Sequence, residues 1–512
     1  MPLPFRAGLL GLFLLTVAGA QVPAPVPPPA PPAPAPVEKP EGKVSVTRHQ
    51  LHLGGAVIPY TATAGTLLMK NDKDEPIALF GFTAYVKEGG DPRTRPLLFA
   101  YNGGPGSSSI WLHMGILGPR RTALADVEPA TKGPFRLLEN EFSILDQADL
   151  VMIDPVGTGL SRPVGKGEGK DFWSVDGDIQ SVSDFIALYL GKYGRWASPK
   201  FLLGESYGGM RSGGVALTLL SKHHVALNGV ILVSPFMDSV AGEAGLRIDL
   251  PYVNFIPAFA AVAWYHRVLP DRPAELQPFL REAEAFARDV YAPVLHKGHR
   301  ASAEERTRVI AGLVRFTSLS AEYWDKANLR VGEERFTQEL LRARRQIAGR
   351  IDGRFKLGML NPLGEKMDFD PMDAAIAPAV VATFQDYLRE TLKVEAERPY
   401  AISAPLWKTW DYRHAAPDLE PGVKAPGNTA VDLAFALTQN PRMKVLVQQG
   451  WFDLATPYPA TEYFLDHLEV APELRGNLSL KMYEAGHMMY IHPPSMAAFK
   501  KDLADFIAAN AR

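Results

Sequence analysis

The stretch FLLGESYGGM, residues 201–210, limits the possible folds more than any other part of the chain. A short apolar run stops at a G-x-S-x-G turn, and MRSGGVALTLLSKHH follows with apolar residues at helical spacing. Strand, sharp turn and helix in that order expose a serine hydroxyl at the edge of a sheet. Small residues flank the serine because such a turn takes unusual backbone angles and packs closely. The chain has 44 glycines, so the motif alone leaves two readings open. Ser206 is either a nucleophile on an elbow or a serine in a glycine-rich loop.

The surrounding pattern favours an α/β fold. The runs PLLFAY, ADLVMID, KFLLG, GVILVS, KVLVQQG and LSLKMYEAG are short and continuously apolar, as strands buried on both faces are. Helical patterns alternate with them, in DGDIQSVSDFIALYLGKYG and in the C-terminal PSMAAFKKDLADFIAAN. In the latter, Phe499, Leu503, Phe506 and Ile507 share a face. Strand–helix alternation predicts a central, mostly parallel sheet. Before it, KVSVTRHQLHL, IPYTATAGTLLM and IALFGFTAYV read as antiparallel strands that open the sheet. Residues 240–430 carry long, charge-rich helical stretches such as SAEERTRVIAGLVRF, predicting a helical insertion. The sheet domain is then 44–239 and 431–512. GKGEGK, residues 165–170, has the wrong spacing for a phosphate-binding loop and reads as a mobile surface loop.

The N-terminus has its own logic. Residues 1–20 combine Arg6, the apolar run AGLLGLFLLTVAGA and the small residues Ala18-Gly19-Ala20, the signature of a secretory signal. Residues 21–43 form a Pro/Ala-rich linker, which proline keeps out of helix and sheet interiors. No cysteine occurs, so an exported protein of this kind relies on its core alone, which suits a bacterial periplasm. A net charge of −2 provides no field for nucleic acid, and no second long apolar stretch predicts a membrane span.

A nucleophilic serine needs a base and an orienting acid. His487 follows the strand-like LSLKMYEAG directly, and Asp453 follows KVLVQQG. The order Ser206, Asp453, His487 is that of the α/β-hydrolase architecture. Asp466 reads as the solvent side of a helix, and His492 as a structural or surface residue. YNGGPGSSS, residues 101–109, follows the strand PLLFAY with a turn whose backbone can approach a substrate closely. The amides of Gly104 and Tyr207 are the candidate oxyanion donors. No H-E-x-x-H motif points to metal catalysis.

NGGPGSSS, DPVGTGLSR, GESYGG, GWFDLATP and AGHMMYIHPP, in this order, resemble the serine carboxypeptidases over roughly residues 75–512. The resemblance implies an α/β-hydrolase fold, with 240–430 as the family's cap. It implies a Ser206–His487–Asp453 triad, no cofactor, and hydrolysis of peptides at their C-terminal end. It places Gly104 and Tyr207 at the oxyanion hole, and Asn102, Gly103 and Glu205 at the substrate's carboxylate. Three positions depart from the family pattern: Ser107 replaces a cysteine, Ala100 a tryptophan, and Ile116 a glutamate that pairs with the acid before the serine. With Ile116 there, Glu205 is expected to be a solitary acid: either burial protonates it so that it still donates to a carboxylate, or the exopeptidase grip is weakened in favour of esters, amides or other acyl groups. An acyltransferase or esterase on the same scaffold, and a non-catalytic binding protein, are the alternatives.

Overall fold

Alternating side-chain direction along fully buried strands sets the architecture. In the strand Leu97–Tyr101, Leu97, Phe99 and Tyr101 pack into one apolar cluster and Leu98 and Ala100 into another. In Gly229–Val233, Val230 and Leu232 face the first cluster, and Ile231 and Val233 the second. Successive side chains of a strand point to opposite faces, so both faces of this sheet are covered.

The computed structural model describes residues 40–128, 132–242, 248–395 and 398–511. The expected secretory signal and the linker up to residue 39 lie outside the described residues. Ten strands form the main sheet. They are β1 (Val44–Leu53), β2 (Ala56–Lys70), β3 (Pro76–Lys87), β4 (Leu97–Tyr101) and β5 (Asp149–Asp154), then β6 (Arg162–Pro163), β7 (Lys200–Glu205), β8 (Gly229–Val233), β9 (Lys444–Gly450) and β10 (Leu478–Tyr483). Their spatial order is β1-β2-β3-β5-β4-β7-β8-β9-β10, with β6 paired to β3. The pairings β1/β2, β2/β3, β3/β5 and β3/β6 are antiparallel, and every pairing from β5/β4 to β9/β10 is parallel.

Helices cover both faces. On one side lie α1 (Val175–Lys192), α2 (Tyr207–Lys222) and α5 (Ala430–Gln439), contributing Phe185, Leu219 and Leu433 to the first cluster. On the other lie α4 (Pro371–Asp386) and α7 (Pro493–Asn510), the latter through Phe499, Leu503 and Ile507. Between β8 and β9, helices including α3 (Leu250–Tyr265) build a third apolar cluster around stacked Phe259 and Phe336, with ring centroids 3.9 Å apart. This cluster closes on Phe452, Leu454 and Tyr458, just beyond β9, which anchors it to the carboxyl edge of the sheet. Tyr458 also opens α6 (Tyr458–Asp466).

Two segments differ from the sequence expectation. Residues 398–429 contain little helix and instead run along the sheet domain. Isolated bridges join Ser403 to Ser107 and Ala401 to Gly159, and the Tyr400 hydroxyl donates to Asp154 at 2.8 Å. Pro405, Pro417, Pro421 and Pro426 withhold the amides a helix needs. The glycine-rich stretch after β6 is not a free loop. The Val164 and Lys166 amides donate to Ile77 and Pro76 carbonyls at 3.0 and 2.9 Å, which fastens the turn to β3. Among the described residues no helix is long and apolar enough to cross a membrane.

A buried ion pair joins the layers under the site. Arg211 in α2, fully buried, donates to Asp178 in α1 at 2.7 Å and to the Asn102 carbonyl beyond β4 at 2.7 Å. Removing one partner leaves an uncompensated charge in the core. Asp178→Ala is expected to cost about 3–5 kcal/mol in urea unfolding, and the double replacement Asp178→Leu/Arg211→Met to recover part of that loss.

Candidate active site

The elbow is the tightest point of the chain. β7 ends at Glu205, α2 begins at Tyr207, and Ser206 between them takes φ 63° and ψ −128°. A non-glycine residue there is strained and persists only when its surroundings hold it. The Ser206 amide donates to Val233 at 2.9 Å, and its carbonyl accepts from Gly209 and Phe236 at 2.8 and 2.9 Å. Flanking glycines make room. A Cβ on Gly204 would lie 2.1 Å from the Gly208 carbonyl oxygen, and one on Gly103 2.5 Å from the Tyr207 nitrogen.

The turn after β9 carries Asp453, whose side chain is fully buried. Its Oδ1 accepts from the amides of Ala455 and Thr456 at 2.8 and 2.9 Å. Its Oδ2 accepts from Thr456 Oγ1 at 2.7 Å and Gln449 Nε2 at 3.1 Å, and pairs with His487 Nδ1 at 2.8 Å. This leaves His487 Nε2 as the ring nitrogen for other work. Burial disfavours a charged imidazole at His487, but the charge and hydrogen bond of Asp453 outweigh it. With a further push from Glu205, and despite opposition from Arg350, the imidazole is held above its ordinary range.

Ser234 ties these parts together. It follows β8 directly, at φ 44°, fully buried. Its amide donates to the Gln448 carbonyl at 2.8 Å, its hydroxyl to the His487 carbonyl at 2.8 Å, and its carbonyl accepts from Thr456 Oγ1 at 2.9 Å. The neighbouring Val233 carbonyl holds the Ser206 amide. The end of one strand thus anchors all three loops, through the Ser206 amide, the Thr456 hydroxyl and the His487 carbonyl. Ser206 and His487 line one cavity of about 530 Å³, and no direct hydrogen bond joins them among the described residues.

Gly104 and Tyr207 line the same cavity. Neither backbone amide donates a hydrogen bond to another described group, so both are available to a ligand. Asn102 and Gly103 lie beside them. Asn102 Nδ2 donates to Glu205 Oε1 at 2.8 Å, and its Oδ1 accepts from the Leu112 amide at 3.1 Å. Glu205 is buried, and among the described residues no second carboxyl bonds to it. The Tyr490 hydroxyl donates to its other oxygen at 2.8 Å, and the Tyr490 ring packs against Gly115, next to Ile116. A phenol stands where the resemblance leads one to expect a second carboxyl. Burial raises the Glu205 carboxyl from 4.5 to about 7, although the His487 charge and the hydrogen bonds from Tyr490 and Asn102 favour its ionised form.

Asp466 ends the exposed side of α6, and His492 bonds to Ser495 at 2.7 Å; neither lines the cavity. Sequence reasoning did not select Ser234, Thr456, Tyr490 or Arg350, although Arg350 lines the cavity. A local signal existed for Thr456 alone, because a residue three places beyond an aspartate commonly donates to its carboxylate. Among the described residues no cluster of three or more His, Cys, Asp or Glu side chains could hold a metal ion.

Known proteins resemble this chain in part. Residues 62–269 match the serine carboxypeptidase family model, which takes in Asn102 through Tyr207 and stops short of Asp453 and His487. Serine carboxypeptidase-like 10 of Arabidopsis thaliana is 28% identical over 174 residues, 32% of this chain and 37% of that protein. The pheromone-processing carboxypeptidase KEX1 of Saccharomyces cerevisiae is 36% identical over 128 residues, 22% of this chain and 16% of that protein. The chain therefore spans well under half the length of these curated relatives. The crystal structure of the yeast prohormone-processing carboxypeptidase KEX1(Δ)P aligns over 88% of this chain and 91% of its own, with TM-score 0.54 and 16% identity. The fold is that of the α/β hydrolases.

The raised Glu205 carboxyl has a consequence for stability. Its folded value lies above its unfolded value of 4.5, so it stabilises the fold fully below about pH 4.5 and loses that contribution as pH rises through about 7. Glu205→Gln has no such loss. Chemical denaturation at pH 4 and pH 8 is expected to show the variant gaining up to ~3 kcal/mol on the wild type between the two.

Proposed function

We propose that this chain is an exported serine-type carboxypeptidase that releases C-terminal residues from peptides through an acyl-enzyme on Ser206. One observation carries the proposal: His487, bonded to the buried Asp453, lines one cavity with the strained Ser206 elbow and with Gly104 and Tyr207, whose backbone amides no described group engages. The match to the serine carboxypeptidase model over 62–269 supports the choice of a peptide as substrate.

The chemistry follows from these positions. Asp453 holds the Nδ1 proton of His487, which leaves Nε2 to take the Ser206 hydroxyl proton as Oγ attacks the scissile carbonyl. The developing oxyanion accepts from the Gly104 and Tyr207 amides. His487 then returns the proton to the departing amine, and the C–N bond breaks to leave an ester on Ser206. Water, activated by the same imidazole, attacks that ester and restores the serine.

The helical part of 240–430, before the stretch that runs along the sheet domain, serves as the cap in this reading. Support comes from Ile351, Met372 and Ile376, which line the cavity from the segment between β8 and β9. The leader at 1–20 supports export to a periplasm or the extracellular space. The Tyr490–Glu205 contact gives the esterase alternative a specific footing, because it occupies the acid assigned to the peptide's carboxylate.

Mass spectrometry of a peptide-library digest tests the proposal. Single residues leaving from the C-terminus are expected, and internal cuts or intact peptides refute it. Ser206→Ala is expected to abolish both this release and labelling by a fluorophosphonate. His487 accepts a proton only when neutral, so kcat/KM rises with pH through a limb above the ordinary imidazole value of 6.5. Asp453→Asn removes the charge that raises it. Its pH–rate profile should show the limb displaced downward and the plateau reduced by about 10³–10⁴.

A further inference from the structure

Carboxylate recognition at this site faces an electrostatic obstacle. Each Glu205 oxygen already accepts a hydrogen bond from within the protein, one from Asn102 and one from Tyr490. Asn102 spends its carbonyl and one amide proton on Leu112 and Glu205. Once ionised, as pH rises through about 7, Glu205 repels a substrate carboxylate placed beside it. The departure at Ile116 removes the second carboxyl that could share a proton with it.

A cation stands on another wall. Arg350 lines the cavity together with Ser206 and His487. Its guanidinium makes no hydrogen bond or ion pair with any described group. Its backbone, in contrast, is clamped. The Arg350 amide donates to Asp370 Oδ2 at 2.7 Å, and its carbonyl accepts from Leu454, the residue after Asp453, at 3.1 Å. The adjacent Ile351 amide donates to the same Asp370 oxygen at 3.0 Å, and the Ile351 carbonyl accepts the His487 amide at 2.8 Å. Asp370 Oδ1 meanwhile caps α4 through the Met372 and Asp373 amides at 2.9 and 3.2 Å. A fixed backbone therefore presents a free guanidinium beside the base. The charge of Arg350 is felt at His487, where it opposes protonation.

An unengaged guanidinium in a partly enclosed pocket is a receptor for a planar anion, because its paired N–H groups match the two oxygens of a carboxylate. We propose that Arg350 binds the C-terminal carboxylate of the substrate and sets the preference of this site for free acids over amides. Asn102 contributes its remaining amide proton, and Glu205 with Tyr490 serves as the wall behind it. This proposal rests on the peptidase reading for the identity of the anion. It departs from the resemblance, which assigns the carboxylate to Asn102, Gly103 and Glu205.

The test compares N-blocked dipeptides with their C-terminal amides as inhibitors of hydrolysis of an uncharged nitrophenyl ester. Wild type is expected to bind the acid more tightly than the amide. Arg350→Gln should lower that acid-over-amide ratio at least tenfold, Arg350→Lys should keep part of it, and Arg350→Glu should invert it. Fluorophosphonate titration counts the folded sites in each variant, and a ratio of inhibition constants needs no equal activity. A ratio that stays within twofold in Arg350→Gln and Arg350→Glu overturns the proposal. Failure of the peptidase reading looks different: wild type then releases no residue from free peptides, while the inhibitor ratio still responds to Arg350.

Discussion

Parallel pairing of β4, β7, β8, β9 and β10 is the constraint on which the rest depends. Register puts Tyr101 opposite Gly204, Val233 opposite Glu205 and Gln448, and Gly450 opposite Tyr483. Each strand therefore stops at the same edge, and the residues just beyond it come together from five distant parts of the chain. Crevices at the carboxyl ends of parallel strands are where open α/β sheets place their ligands. Here the edge is further pinned by Ser234, whose three polar groups reach the loops of the acid and the base.

Electrostatics at that edge is a balance among four groups. Asp453 is satisfied by five donors and stabilises a positive His487. Glu205 also favours that positive charge, whereas Arg350 opposes it. Burial raises the Glu205 carboxyl to about 7, so its push on the histidine grows as pH rises through that range. The Tyr490 hydroxyl engages one oxygen of this carboxyl, and it comes from the loop that carries His487.

Much of this framework was legible in the sequence, because strand ends are local features. Apolar runs bounded by glycine marked β4, β7, β8, β9 and β10, and the candidate nucleophile, acid and base were sought just past three of them. The structure brings Ser206 and His487 to one cavity, with Asp453 bonded to the imidazole. Tyr490 and Ser234 were not legible, since their roles rest on contacts 285 and 253 residues away along the chain. Arg350 was hidden for a related reason: it lies in the insertion, where charged residues are common and periodicity reports only helix. The helical pattern was also extended too far, across the proline-rich 398–429, where tertiary bridges to the sheet domain replace local hydrogen bonds.

Asp370 gives the site an unusual mechanical property. One carboxylate secures the first turn of α4, whose Met372 and Ile376 form part of the ceiling, and also the dipeptide that braces the imidazole loop. Ceiling and base are thereby geared to a common pivot. The first turn of α4 and the Arg350–Ile351 backbone behind His487 share this one anchor. The shape of the cavity and the placement of the imidazole are therefore not independent features of this fold: both depend on a single carboxylate.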